Sequence, residues 1–271
     1  MRGFKLKEQE DIYVIGFPKS GNTWLARLLA EVTDSNLVPS NPVDAADYSL
    51  ERKADYLIHK KHIVDDIQTV VNSKTVYIVR DVRDILISGF FHCNRWCTNS
   101  LIKNNIFVRW YFNHEIRRLN NMWQGTIWGE FKYSLIRFII SLVRKKSPNV
   151  RIGNWSHHVN KWTNDSKVVV VRYEDLLDDT EVQVRKLLDV LKLDVHDDIL
   201  KQAVLNQSFK KKKAAFIESG DLKNSQFLRG GKTDGWKELL PKEIVREIEI
   251  AHADMMNKFA YKAEYFEGSR K

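Results

Sequence analysis

The stretch Ile12-Tyr13-Val14-Ile15-Gly16-Phe17-Pro18-Lys19-Ser20-Gly21-Asn22-Thr23-Trp24 decides the fold. It opens as an apolar run of strand type, breaks at Gly16 and turns through Pro18 and Gly21. A helical pattern follows, in which Trp24, Leu25, Leu28, Leu29 and Val32 recur at i, i+3/i+4 spacing. Strand, tight loop and helix together aim backbone N–H groups and the positive end of a helix dipole at one point, which makes an anion site. Gly16 and Gly21 have the spacing of the nucleotide-binding loop GxxxxGK[ST], with Thr23 at its end. The lysine of that pattern is replaced by Asn22, and Lys19 sits inside the loop instead. The expectation is a loop that holds a phosphate-like group, though not in the manner of an ATPase.

A chain of 271 residues suits one α/β domain or two small ones. An apolar content of 43% and a charged content of 29% are ordinary for a soluble globular chain. The net charge of +9 points to an anionic ligand or surface, and leaves nucleic acid, membrane lipid and phosphorylated cofactors open. Cys93 and Cys97 form a lone CxxxC with no second ligand pair nearby, so neither a zinc site nor a disulfide framework is expected. They read as two thiols in a reducing compartment. Met1 to Asp11 is charged and has no apolar core of a secretory signal. Phe131 to Val143, interrupted by Lys132, Ser134, Arg137 and Ser141, is too short and too charged to span a bilayer. A cytoplasmic protein is expected.

Further along, Val38 to Asp47 carries Pro39 and Pro42 and reads as a loop. Tyr56-Leu57-Ile58-His59-Lys60 and Thr75-Val76-Tyr77-Ile78-Val79 read as strands, the second ending at Arg80-Asp81. From Asp84 the spacing turns helical, with Ile85, Leu86 and Phe90 among its apolar positions. Lys167-Val168-Val169-Val170-Val171 is another continuous apolar strand. Strands this uniformly apolar are expected to be buried on both faces, as in a parallel sheet between helices. Asp179 or Thr180 caps a helix through Val184, Leu187, Leu188 and Leu191. Pro241 opens a final helix through Ile244, Ile248, Met255 and Phe259. Residues 206–235, with the run Lys210 to Lys213, show no clear periodicity and read as a long functional loop. The fold expected is α/β: a P-loop-like, mainly parallel central sheet flanked by helices on both faces. A single domain over 1–271 is expected, with an acceptor-side helical region at about 93–165 and a cap loop at about 206–235.

The loop Phe17 to Trp24 closely resembles the phosphosulfate-binding loop of the cytosolic-type sulfotransferases, usually written YPKSGTTW. Lys60-Lys61-His62 resembles the family's K-T-H segment, and Val79-Arg80-Asp81 with Ser88 its 3′-phosphate-gripping element. Gly153-Asn154-Trp155-Ser156-His157-His158-Val159 resembles G-S-W-x-x-H-V, and Tyr173-Glu174-Asp175-Leu176 the YED stretch. Ser208-Phe209 resembles the S-F pair of the cap, and Phe227-Leu228-Arg229-Gly230-Gly231 with Gly235-Trp236-Lys237 the F-x-R-K-G…G-D-W-K segment. The matches run in order from residue 12 to about 237. Asn22 and Lys61 depart from threonines of the pattern, Gly230 from a lysine, and Asp234-Gly235-Trp236 inverts G-D-W.

The resemblance implies in-line sulfuryl transfer from 3′-phosphoadenosine 5′-phosphosulfate (PAPS) to a hydroxyl or amine of a small molecule, without metal. The other product is 3′-phosphoadenosine 5′-phosphate (PAP). That chemistry asks for an anion cradle for the 5′-phosphate, for which Ser20, Gly21, Asn22 and Thr23 stand at the helix start. It asks for cationic charge where negative charge builds on the bridging oxygen, which suits Lys19 with Lys60 in support. It asks for a base, and the resemblance assigns that role to His62. The resemblance further gives Arg80, Ser88, Arg229, Gly230 and Gly231 to the 3′-phosphate, and Trp24, Phe209, Tyr173 and Ser208 to the nucleoside side.

Each residue also has a structural reading: His62 as a buried core histidine, Trp24 as a helix anchor, Arg80 paired with Asp84, and Lys210 to Lys213 as a solvated face. His59, His92, His157 and His158 are left structural or acceptor-lining. Phe131 to Lys146 reads as a buried helix of the acceptor side, with a membrane-surface helix as its alternative; stable membrane insertion is not expected. A P-loop nucleotide kinase or NTPase is the first alternative function, against which Asn22 stands. A basic nucleic-acid-binding protein is the second, and the chain shows no motif of that class. The acceptor would be shaped by residues 33–56, 93–165 and 206–228, and its identity is not legible in them.

Overall fold

The computed structural model describes residues 10–38, 55–62, 70, 72–93, 155–220, 231–240 and 242–265, the side chains of 90–93 excepted. In chain order these form β1 (Glu10–Gly16), α1 (Asn22–Val32), β2 (Asn36–Val38), β3 (Tyr56–Lys61) and β4 (Lys74–Val79). Then come α2 (Val82–Cys93), α3 (Trp155–Thr163), β5 (Val168–Arg172), α4 (Tyr173–Asp178) and α5 (Thr180–Leu191). The chain continues with α6 (Asp197–Gln207), α7 (Phe209–Glu218), α8 (Trp236–Leu239) and α9 (Lys242–Lys258). Two compact units result, one of Met1–Arg80 with Lys161–Gly231 and one of Asp81–Asn160 with Lys232–Lys271.

The first unit holds a five-stranded sheet in the order β2-β3-β1-β4-β5, parallel at every pairing. Its central strands are apolar because both faces are covered: Ile12, Val14 and Ile15 of β1 and Val76, Tyr77 and Ile78 of β4 are all fully buried. One face packs on Leu25, Leu28 and Leu29 of α1 and on Val184, Leu187 and Leu188 of α5, with Leu200 and Ala203 of α6 completing the layer. Each such leucine contributes about 1.5–3 kcal/mol by leaving water. The Asp179 carboxylate caps α5 by accepting from the Val182 amide at 3.1 Å, as its position in the sequence predicts.

Three sequence expectations are corrected here. The run at 167–171 is buried on both faces only in part: Val168 and Val171, on opposite faces of β5, are buried, while Val170 is 37% exposed on this edge strand of the described sheet. Residues 209–218 are helical rather than loop. Their Lys and Ala favour helix, but none of them is buried, so no apolar stripe marks the period. Val38 closes a strand, β2, whose three residues are too few to show any pattern.

In the second unit α9 buries Ile244, Val245, Ile248 and Met256, so the expected helix is present with Met256, not Met255, on its inner face. A buried ion network ties this unit together. Arg83 donates from Nη2 to Asp81 at 2.6 Å and from Nη1 to Glu249 at 2.7 Å, and its guanidinium lies 3.8 Å over the Trp236 ring. Glu249 also accepts from the backbone amides of Glu264 and Tyr265 at 2.9 and 2.8 Å, which pins the segment after α9. The inverted Asp234-Gly235-Trp236 is held by Asp84, which accepts from the Asp234 and Trp236 amides at 2.9 and 3.3 Å. No helix among the described residues is long and apolar enough to cross a membrane. Phe131 to Lys146 and the tract 94–154 lie outside the described residues.

Candidate active site

β1 is flanked by β3 on one side and β4 on the other, and the chain leaves it in both directions. In an open parallel sheet such a switch point opens a crevice at the carboxyl ends of the strands. The predicted residues follow those ends: Lys19 to Thr23 after β1, His62 after β3, Arg80 after β4 and Tyr173 after β5. The loop after β1 folds tightly, with the Ser20 amide donating to the Phe17 carbonyl at 3.1 Å. Below it the buried Tyr77 hydroxyl is hydrogen-bonded to the Phe17 backbone, and burial pushes its pKa above the ordinary phenol value. Gly21, at φ 103, is the N-cap of α1; a Cβ there would stand 2.7 Å from the Tyr173 ring, so only glycine fits.

Two features of the loop fit an anion. No described side chain caps α1, so the amides at its start, Asn22 and Thr23, suit an outside acceptor. The Ser20 hydroxyl is fully buried and has no partner among the described residues. A buried hydroxyl without a partner costs free energy, and a phosphate oxygen would satisfy it.

The His62 ring is fixed by the end of β1. Its Nδ1 lies 2.9 Å from the Gly16 carbonyl oxygen. A carbonyl only accepts, so Nδ1 carries the hydrogen, and the neutral ring bears its lone pair on Nε2. Burial holds the His62 pKa below its usual value, opposed by the Gly16 bond and assisted by the charges of Lys60 and Lys19. Two lysines near enough to disfavour imidazolium are also near enough to act on a developing oxyanion.

An aromatic and cationic wall completes the first unit's site. Trp24 meets Tyr173 edge-on at 5.8 Å between centroids and Phe209 at 5.5 Å, tilted by 56°. Arg80 lies 4.2 Å over the Tyr173 ring and donates from Nη1 to the Lys19 carbonyl at 3.2 Å. Gly231, at φ 53, backs onto the Phe209 ring so closely that a Cβ would overlap it, with even Cζ only 2.8 Å away. Residues 9–260 match the family model described as "Sulfotransferase domain".

The chain belongs to the sulfotransferase family.

Among its relatives, Sulfotransferase 2A6 of Mus musculus is 23% identical over 256 residues, covering 85% of this chain and 78% of that protein. Sulfotransferase 2A1 of Homo sapiens is 24% identical over 258 residues, covering 84% and 78%. The fold is that of mouse sulfotransferase SULT7A1 complexed with PAP, at a TM-score of 0.56 and 20% identity over 94% of this chain and 89% of that one. Retinol dehydratase in complex with androsterone and inactive cofactor PAP gives a TM-score of 0.54 at 14% identity, covering 92% and 82%. The five-stranded parallel sheet with its flanking helices is thus the sulfotransferase α/β fold, as the sequence predicts.

Set against the family pattern, the structure gathers Lys19, Ser20, Gly21, Thr23, Trp24, Lys60, His62, Arg80, Tyr173, Phe209 and Gly231 in the first unit. Ser88 stands half-buried on α2, in the second unit. Ser208 serves as the N-cap of α7, its hydroxyl accepting from the Lys211 amide and donating to the Leu205 carbonyl at 2.8 Å. Arg229 and Gly230 lie outside the described residues. Asn22 is only 2% exposed and points inward, donating to the Gly16 and Lys61 carbonyls rather than outward as a loop lysine would. His59 is structural, bonded to Asp11 at 2.7 Å and stacked on Tyr13.

Sequence reasoning overlooks two supports. Tyr77 passes for an ordinary strand aromatic, and only its burial reveals the bond to the loop. Glu31 on α1 accepts from Asn206 Nδ2 at 2.5 Å and from Gln207 Nε2, which ties α1, bearing Trp24, to the residues just before Phe209. Nothing local in the sequence marks a pairing across 175 positions.

Proposed function

We propose that the protein transfers the sulfuryl group of PAPS to a hydroxyl or amine of a small-molecule acceptor, with His62 as general base. The observation that carries this is the His62 Nδ1 bond to Gly16 at 2.9 Å, which presents Nε2 at the strand ends beside Lys19 and Lys60. PAPS supplies an activated sulfuryl group on a phosphate leaving group. The backbone amides of Gly21 to Thr23 and the Ser20 hydroxyl would hold its 5′-phosphate, with Lys19 and Lys60 countering charge on the bridging oxygen. Arg80 would take the 3′-phosphate as a planar fork. The adjoining rings of Trp24 and Phe209 would together support the purine, with Tyr173 behind Arg80. The PAP complexes of structurally similar sulfotransferases support the donor, and the androsterone complex of retinol dehydratase supports a small apolar-bodied acceptor. The proposed setting is the cytoplasm, and no metal is assigned.

Adenosine 3′,5′-bisphosphate should raise the melting temperature, and His62→Ala should abolish transfer while keeping that rise. Unchanged melting at saturating bisphosphate, or greater stabilisation by ATP with Mg²⁺, would refute the proposal.

A further inference from the structure

The side chain at position 22, where the family's usual loop has threonine, turns inward to the strand ends. Asn22 Nδ2 lies 3.1 Å from the Gly16 oxygen and 3.4 Å from the Lys61 oxygen. Gly16 ends β1 and Lys61 ends β3, two strands whose parallel ladder closes at Ile15 and Lys61. One amide group has two hydrogens, one for each carbonyl, so Asn22 staples the two strand ends just past their last rung. His62 follows Lys61 directly and donates to the same Gly16 oxygen. Gly16 therefore receives two donors on its two lone pairs, and Asn22 bonds the backbone on both sides of the imidazole's anchor.

A threonine could not do this. It has a single hydroxyl hydrogen and a shorter reach, so it could hold at most one of the two carbonyls. Burial agrees with an inward role: Asn22 is 2% exposed and its Oδ1 has no partner among the described residues, so the N–H side alone fixes the orientation.

We infer that Asn22 is a positioning residue for His62, stapling the Gly16 and Lys61 carbonyls so that the ring is held with hydrogen on Nδ1 and lone pair on Nε2. The inference rests on the reading of His62 as the base, and the test separates the two. The measurement is ¹⁵N NMR of the His62 ring, assigned with His62→Gln, in the full chain saturated with adenosine 3′,5′-bisphosphate. In the wild type the Nδ1–H form should dominate. In Asn22→Thr the ratio of Nδ1–H to Nε2–H should fall about tenfold, the scale of one lost hydrogen bond, while bisphosphate affinity stays within about threefold. Asn22→Asp, isosteric but without N–H, should go further; if it does not fold, Asn22→Thr alone decides. An unchanged tautomer ratio in Asn22→Thr overturns the inference, and a tenfold weaker bisphosphate affinity with that unchanged ratio returns Asn22 to a donor contact. Failure of the wild type to bind bisphosphate instead removes the proposed function, whatever the tautomer.

Discussion

Replacing Gly231 by alanine perturbs the site through the Phe209 ring that the glycine backs onto. At φ 53 the residue sits in the left-handed region, where an L side chain costs about 1 kcal/mol. The added Cβ also overlaps the Phe209 ring, which must swing away or push the backbone back. If the ring moves, its contact with Trp24 at 5.5 Å is lost, worth about 0.5–1.5 kcal/mol for an aromatic pair. The backbone strain is the same with and without ligand, so affinity feels only the ring's share, about 1 kcal/mol, required when donor binding restores the ring. At 1.4 kcal/mol per decade, bisphosphate affinity should fall roughly fivefold.

Calorimetric titration with adenosine 3′,5′-bisphosphate reads this directly, and a double-mutant cycle identifies its cause. Phe209→Ala should weaken binding by itself. Adding Gly231→Ala to it should cost far less than in the wild type, because the overlap has gone and the backbone strain is common to the free and bound protein. Gly231→Ala within about twofold of wild type would refute the reasoning. So would an equal penalty with and without the Phe209 ring.

Two further outcomes follow from buried polar groups. Glu31→Ala leaves the Gln207 amide, 8% exposed, without the acceptor it has now, at a cost of about 1–3 kcal/mol. A fall of roughly 3–8 °C in melting temperature is expected, with a severalfold loss of bisphosphate affinity as α1 and Phe209 uncouple; an unaltered melting curve would deny Glu31 this role. His252 is buried under Trp155 and shares a 2.7 Å hydrogen bond with Ser156, and burial lowers its pKa to about 4. The unfolded chain takes up a proton near pH 6.5 and the folded chain does not, so stability should decline as pH falls from about 6.5 towards 4. Denaturant titrations should show a shallower decline in His252→Gln; parallel curves would place the pH dependence elsewhere.

What could be read in the sequence was local. The strand, the turn and the helix of residues 12–32 announce themselves through apolar period and glycine placement, and Asp179 through its position ahead of an apolar stripe. The order of the strands is not local, yet the uniformly apolar runs of β1 and β4 already require cover on both faces, and the structure gives it. The same inference holds only in part for β5, because an edge strand and a central strand can have one composition. α7 escapes notice for the opposite reason: it buries nothing, so its helicity leaves no hydrophobic trace. In the site, residue types that chemistry demands were visible as Lys19, His62 and Arg80. Their supports were not, since Glu31, Tyr77 and Gly231 act through contacts that depend on the finished fold.

The misplaced lysine of the opening loop shows how the two kinds of information combine. Lys19 is held at φ 75, a left-handed conformation that costs a lysine roughly 1–2 kcal/mol. Strain of that size persists only where neighbours fix the alternative, and three of them surround this turn. Ser20 closes it onto Phe17, Tyr77 bonds Phe17 from below, and Arg80 binds the Lys19 carbonyl at 3.2 Å. The backbone of this turn therefore aims the side chain, and its charge reaches His62. A nucleotide-binding lysine at position 22 would rise from the first turn of α1 instead. Moving the cation into the strained turn and giving position 22 to an inward amide are then two parts of one rearrangement, which sets the Lys19 charge and the His62 imidazole near one another at the ends of β1 and β3.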